Sequence, residues 1–152
     1  MFENIIWKES NSNLSKLEIK DVEIKLNVKF PQDYVDVVSQ NDGGYPSPNR
    51  LKVNGNEEII NNLLSMKSDN SSYIIDVFEN VSDRLIEDVI PIAEDPFGNL
   101  ICFDFRIDNA NQGLKLAFKI SKKWQTAKIV IIWEYGHTYQ TNRTVLRRLL
   151  LI

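Results

Sequence analysis

Apolar residues in the first forty positions recur at helical spacing. Leu14, Leu17, Val22, Ile24 and Leu26 trace an imperfect helical stripe, so a helix is expected over Leu14–Leu26. Ser15 stands three residues before Glu18. That is the spacing of a capping box, in which the two side chains satisfy otherwise unpaired backbone N–H groups. A second helix is expected after Phe30. Pro31 suits a first turn because its missing N–H is not needed there, and Asp33 favours the positive end of the helix. Tyr34, Val37 and Val38 follow as one stripe at i, i+3 and i+4. Gly43 and Gly44 can take left-handed backbone, so this helix should stop near Asn41. The segment Phe2–Lys8 mixes apolar and charged residues and reads as a short amphipathic helix.

The pattern changes after the glycine pair. Pro46 and Pro48 hold Tyr45–Asn49 extended. Leu51 and Val53 lead into Asn54-Gly55, a hairpin signal, with Glu57–Met66 as the return strand. Ser72–Val81 reads as a helix with Ser71 or Ser72 as its N-cap. Val89–Ala93 and Leu100–Phe105 read as strands joined through Glu94-Asp95-Pro96-Phe97-Gly98-Asn99. In the second strand Leu100, Cys102 and Asp104 should face one way and Ile101, Phe103 and Phe105 the other. Strands over Leu114–Ile120 and Ala127–Trp133 and a terminal helix over Thr144–Leu151 complete the reading. Strands in the middle and helices toward both ends predict an α+β fold. The expectation is a single domain over residues 1–152, a largely antiparallel central sheet flanked by helices. Tyr34, Val38, Ile92, Ile101, Phe103 and Trp133 should be buried in one connected core.

Composition narrows the function classes. A chain of 152 residues is long enough to bury roughly two thirds of its unfolded surface in one domain. Its longest apolar run, Ile129–Trp133, falls far short of the roughly 20 residues that a membrane span needs. The start MFENIIWKES lacks the basic n-region of a signal peptide, and the lone Cys102 excludes an internal disulfide. Together these predict a cytoplasmic protein. The net charge of −3 hides an asymmetry: residues 1–114 carry 10 Lys and Arg against 20 Asp and Glu, whereas residues 115–152 carry 8 against Glu134 alone. The first block is therefore −10 and the second +7, which suits either self-complementary folding or an acidic face built for a basic partner.

No residue set is a convincing catalytic, cofactor-binding or metal-ligating site. His137 is the only histidine, so there is no histidine cluster. Cys102 sits beside Phe103 in a strand and reads as a small buried hydrophobe. Asp95 and Asp104 could pair across the hairpin, but acid–base work would also require a cleft and a raised pKa. Gly43-Gly44 lacks the lysine of a phosphate loop. Lys122, Lys123, Trp124, Lys128, Arg143, Arg147 and Arg148 form a basic stretch, yet the acidic remainder argues against a dedicated nucleic-acid binder.

Two glycine-centred motifs carry a resemblance. In the first, Phe30, Pro31, Asp33 and Tyr34 precede Asn41, Gly43 and Gly44, with Asp42 as an inserted residue. In the second, Ile90, Pro91, Ile92 and Ala93 lead to Asp95, then Gly98 and Asn99, then Ile101 and Asp104, with Pro96-Phe97 lengthening the loop. Over residues 14–106 this order resembles the SUKH superfamily, which contains fungal cell-wall-synthesis regulators and bacterial toxin-immunity proteins. After Arg106 the likeness fades. Trp133-Glu134 and Tyr135-Gly136-His137 only loosely match the family's aromatic-Asp-His strand end, and NRTVLRRLLLI lacks its closing phenylalanine pair. The apolar stop at Leu149–Ile152 fits a shortened helix, a shifted reading frame or a tail packed on a partner.

The resemblance implies a protein that works by binding, without cofactor or small-molecule substrate. Its leading form is an immunity protein that blocks a cognate toxin domain, often a nuclease. The alternative is a regulatory scaffold with no toxin partner. Pro31, Tyr34, Asn41, Gly43, Gly44, Asp95, Gly98, Asn99 and Asp104 are the motif residues. Acidic residues in loops and strand ends near the motifs, namely Asp42, Glu57, Glu58, Glu94 and Asp95, are the expected partner contacts, presented outward.

Overall fold

The computed structural model describes residues 5–11, 13–53, 56–83, 85, 87–105, 115–121 and 129–131. In chain order these form strand β1 (Ile6–Lys8), helices α1 (Lys16–Leu26) and α2 (Gln32–Asn41), and strands β2 (Tyr45–Ser47), β3 (Arg50–Val53), β4 (Asn56–Ile59) and β5 (Asn62–Leu63). Helix α3 (Ile74–Val81) follows, and then strands β6 (Val89–Glu94), β7 (Asn99–Asp104), β8 (Lys115–Ser121) and β9 (Ile129–Ile131). The main sheet is an antiparallel meander in the order β5-β6-β7-β8-β9. Two small antiparallel ribbons, β1 with β2 and β3 with β4, accompany it. The fold class is α+β, as expected from strands clustered in the middle of the chain.

Local chemistry sets the helix limits. Ser15 Oγ accepts from the Glu18 N–H at 3.2 Å, and Glu18 Oε2 accepts from the Ser15 N–H at 2.8 Å, so the expected capping box forms. Asn27 ends α1 in the left-handed region at φ 53°, a conformation asparagine tolerates. Pro31 stands just before α2 as its N-cap, and α2 ends at Asn41, ahead of Gly43 at φ 68°. In α1 the buried face is Ile19, Val22, Glu23 and Leu26, whereas Leu17 and Ile24 point outward. This split explains the imperfect helical spacing: two of the five apolar residues do not belong to the core stripe.

Three elements differ from expectation. Residues 6–8 are extended, not helical, because Trp7 pairs with Pro46 in the β1–β2 ribbon. So short a helix would not sustain itself in isolation, and strand pairing decides its state. The expected return strand over Glu57–Met66 divides in two. Asn56–Ile59 pairs with β3, and Asn62–Leu63 then leaves that ribbon for the edge of β6. Helix α3 starts after Tyr73, not at a serine cap. The Ser65 carbonyl accepts from the Ile74 N–H at 2.8 Å and its N–H donates to the Ser72 carbonyl at 2.9 Å, a bridge that holds Tyr73 extended ahead of the helix. Asn54-Gly55, the Trp133 core position and the expected helix over Thr144–Leu151 lie outside the described residues.

The core sits where α2 meets β7. Tyr34 and Phe103 are fully buried with ring centroids 5.2 Å apart and planes at 89°, an edge-to-face pair. Phe30 packs 5.0 Å from Tyr34, and Phe105 lies 6.1 Å from Phe103. Val38, Ile92 and Ile101 join the same cluster. Leu100, Ile101, Cys102 and Phe103 are all buried, so β7 is covered on both faces and alternation of apolar and polar residues is lost there.

Candidate functional site

The first glycine motif builds a corner that ties three parts of the chain together. Asp42 follows α2 and is fully buried. Its backbone exchanges two hydrogen bonds with Asn11, each 3.0 Å, which holds the N-terminal segment against α2. Its carboxylate accepts from Ser65 Oγ at 2.5 Å and from the Met66 N–H at 2.7 Å, which holds the chain between β5 and α3. Gly44 then accepts through its carbonyl from the Leu63 N–H at 3.0 Å. Burial pushes the Asp42 carboxyl above its ordinary range, and the two hydrogen bonds oppose that rise. Tyr34 is buried nearby, and its hydroxyl has no hydrogen-bond partner among the described residues. Burial, and secondarily the Asp42 charge, push that phenol well above its ordinary value.

The two glycines of the corner do different work. Gly43 needs the left-handed backbone at φ 68°. Gly44 does not adopt it; there a Cβ would stand 2.8 Å from Ser10 Cβ, 2.9 Å from the Asn41 carbonyl oxygen and 3.0 Å from Trp7 Cε3. Its hydrogen is what lets the N-terminal segment approach.

The second motif is a turn organised from within. Asp95 is 3% exposed, and its Oδ1 accepts from the N–H groups of Phe97 at 2.9 Å and Asn99 at 2.7 Å. Its Oδ2 accepts from Asn99 Nδ2 at 2.6 Å. Gly98 completes the turn at φ 78° with open space where a Cβ would be. The outcome is a braced hairpin tip that holds Phe97 at 69% exposure.

These geometries correct part of the expected contact set. Asp42 and Asp95 are not presented outward; the Asp42 carboxylate is buried as the acceptor for Ser65 and Met66, and the Asp95 carboxylate as the acceptor that shapes its own turn. Glu94 is half-buried at the end of β6, and Glu57 and Glu58 lie in β4. Asp95 and Asp104 do not form a pair across the hairpin. Asp104 is opposite Val89 while Asp95 lies beyond the Glu94–Leu100 position, so the two stand at opposite ends of β7, roughly 15 Å apart by strand rise. Cys102 is fully buried, which pushes its thiol far above the ordinary value and makes it a poor nucleophile. His137 and the basic stretch from Lys122 to Arg148 lie outside the described residues. Among the described residues no His, Cys, Asp and Glu group could hold a metal ion, and no helix is long and apolar enough to cross a membrane.

Sequence reasoning missed two features. Phe97 carried a usable signal: an aromatic between proline and glycine at a hairpin tip has little structure left to be buried in. Ser65 carried none, because its role depends on a partner 23 positions away.

Comparison with curated proteins finds no match. A family model, SUKH_6, described as SMI1-KNR4 cell-wall, matches residues 16–132 and so spans both glycine motifs and the whole described meander. Because that match covers well over half of the chain and takes in both motifs in order, the chain belongs to the SUKH superfamily.

Proposed function

We propose that this chain is an immunity protein, a single 1–152 domain that acts by binding a cognate toxin domain and has no turnover of its own. The observation that supports it most directly is the Asp95 turn. A buried carboxylate spends its hydrogen bonds on rigidifying a tip whose Phe97 stands in the open. A pre-organised exposed aromatic is a typical binding anchor, since little conformational freedom remains to be lost on contact. The acidic charge of residues 1–114 supplies the complementary field for a cationic toxin face. Glu94, Glu57 and Glu58 are the proposed acidic contacts. The Asn61 N–H donates to the Glu94 carbonyl at 2.7 Å, so the segment that leaves β4 runs beside the end of β6. Occlusion of the toxin's active face is the proposed mechanism, and a cytoplasmic site of action goes with it.

The test is co-expression of this chain with the C-terminal domain of the protein encoded by the neighbouring gene. Protection of the cells and a one-to-one complex on a sizing column are expected. Association should slow markedly as salt rises from low to physiological strength, with dissociation changing less. Equal toxicity with and without this chain, and no complex, would sink the reading. The cell-wall description of the matching family favours the second reading, a regulatory scaffold without a toxin partner.

A further inference from the structure

One concave surface runs against the acidic character of the first 114 residues. Helix α1 and the start of α2 enclose a groove of about 760 Å³. Lys16 and Lys20, both exposed, rim it on α1, and Lys29 rims it on the link to α2. Its aliphatic wall comes from Ile24, at 68% exposure, and from half-buried Val28 and Val35. Glu23 is the one carboxylate among the described lining residues, and it is occupied. It is buried, with Oε1 accepting from the Phe30 N–H at 2.8 Å and Oε2 from Lys29 Nζ at 3.1 Å. Lys16 and Lys20 have no carboxylate partner among the described residues. The groove therefore keeps a net positive rim over an apolar wall.

This combination selects its occupant. An exposed isoleucine beside two half-buried valines asks for aliphatic side chains, and two uncompensated ammonium groups ask for carboxylates. A nucleic acid would be better served by aromatic stacking platforms, which the lining lacks. A bilayer is flat, and a concave wall between two helices cannot lie on it. An amphipathic helix meets both demands, with anchors at i, i+3 and i+4 in the groove and acidic residues along its flanks. We propose that the α1–α2 groove is a docking site for an acidic amphipathic helix of a partner protein. It is separate from the Phe97 tip and does not depend on the toxin reading.

The probe is a fluorescein-labelled peptide of about 15 residues, with leucines at helical spacing and glutamates elsewhere. Fluorescence anisotropy should report saturable binding by the full chain, and amide shifts should cluster over residues 16–35. Lys16→Glu combined with Lys20→Glu should weaken binding roughly ten- to thirtyfold, since two exposed attractions become two repulsions. Ile24→Ser should weaken it several-fold. Lys25→Glu, whose wild-type lysine pairs with Asp21 at 2.7 Å away from the groove lining, should leave it unchanged. All of these side chains are exposed, so thermal midpoints within a few degrees of the wild type are expected and serve as the folding check, the loss of the Lys25–Asp21 pair included. The proposal is overturned by absence of saturable binding, by equal affinity for a peptide with lysines in place of glutamates, or by indifference to the charge reversals. Preferential capture of single-stranded oligonucleotide or of phosphatidylserine vesicles would overturn it as well.

Discussion

Replacing Gly44 by alanine should destabilise this protein more than replacing Gly98, although only Gly98 has left-handed backbone. At Gly44 the added methyl meets Ser10 Cβ at 2.8 Å, the Asn41 carbonyl oxygen at 2.9 Å and Trp7 Cε3 at 3.0 Å. Normal contact begins near 3.5 Å, so each neighbour would have to retreat by about half an ångström. A carbonyl closing α2 and a Cβ fixed to the N-terminal backbone cannot rotate away as the end of a long side chain can. Overpacking of this kind costs about 1–3 kcal/mol, and three simultaneous overlaps place Gly44→Ala at about 3 kcal/mol or above. Gly98→Ala meets nothing within 4 Å and carries only the strain of φ 78°. That strain is about 1–2 kcal/mol, and the reduced freedom of the unfolded chain offsets about half of it. Thermal unfolding followed by circular dichroism should show a midpoint drop of roughly 6–12 °C for Gly44→Ala and roughly 1–4 °C for Gly98→Ala. Gly98→Asn should be milder still, whereas Gly44→Asn should be worse than Gly44→Ala. If Gly98→Ala proves the costlier change, or Gly44→Ala leaves the midpoint unmoved, the close-approach account of the corner is wrong.

Three further outcomes are expected. Phe103→Ala should cost about 3–5 kcal/mol in urea unfolding, because it empties the site between Tyr34 and Phe105; an unchanged midpoint would place the wrong face inside. Asp95→Ala should lower stability by about 1–3 kcal/mol and speed amide exchange at Phe97 and Asn99, whose N–H groups lose their acceptor; unaltered exchange would refute the bracing role. Asp42 has a folded-state pKa above its unfolded value near 3.8, so its contribution is fully present below that value and is lost as pH rises through the folded pKa. The stability of the wild type relative to Asp42→Asn should therefore decline from about pH 3 toward neutrality, and a flat or rising difference would contradict the buried carboxylate.

The sequence by itself determined those features whose physical cause is local. Ser15 and Glu18 announce the start of α1 because a capping box closes within one helical turn. Pro31 marks the start of α2, Tyr34 and Val38 mark its buried stripe, and the Gly43-Gly44 pair and Gly98 mark two turns that need left-handed backbone, although which glycine of the pair adopts it is not settled locally. The β6–β7 hairpin was legible because its apolar runs flank a proline–glycine loop. Together these features gave the order of the two motifs and the α+β class.

Tertiary structure decided everything that needed a distant partner. Residues 6–8 became a strand because Pro46 and its neighbours pair with them. The segment 56–63 broke between two sheets because β6 offers an edge at Asn62. Ser71 and Ser72 lost the cap of α3 to the bridge between Ser65 and Tyr73. The same dependence inverted the reading of the site. Acidic residues in loops are expected at the surface, yet Asp42 is buried because Ser65 and Met66, more than twenty positions away, donate to its carboxylate, and Asp95 because the N–H groups of its own turn do. What they leave outside is Phe97 and the lysine-rimmed groove. Phe97 left a local signal in its place between proline and glycine, but the groove left none, because concavity depends on how separate elements meet.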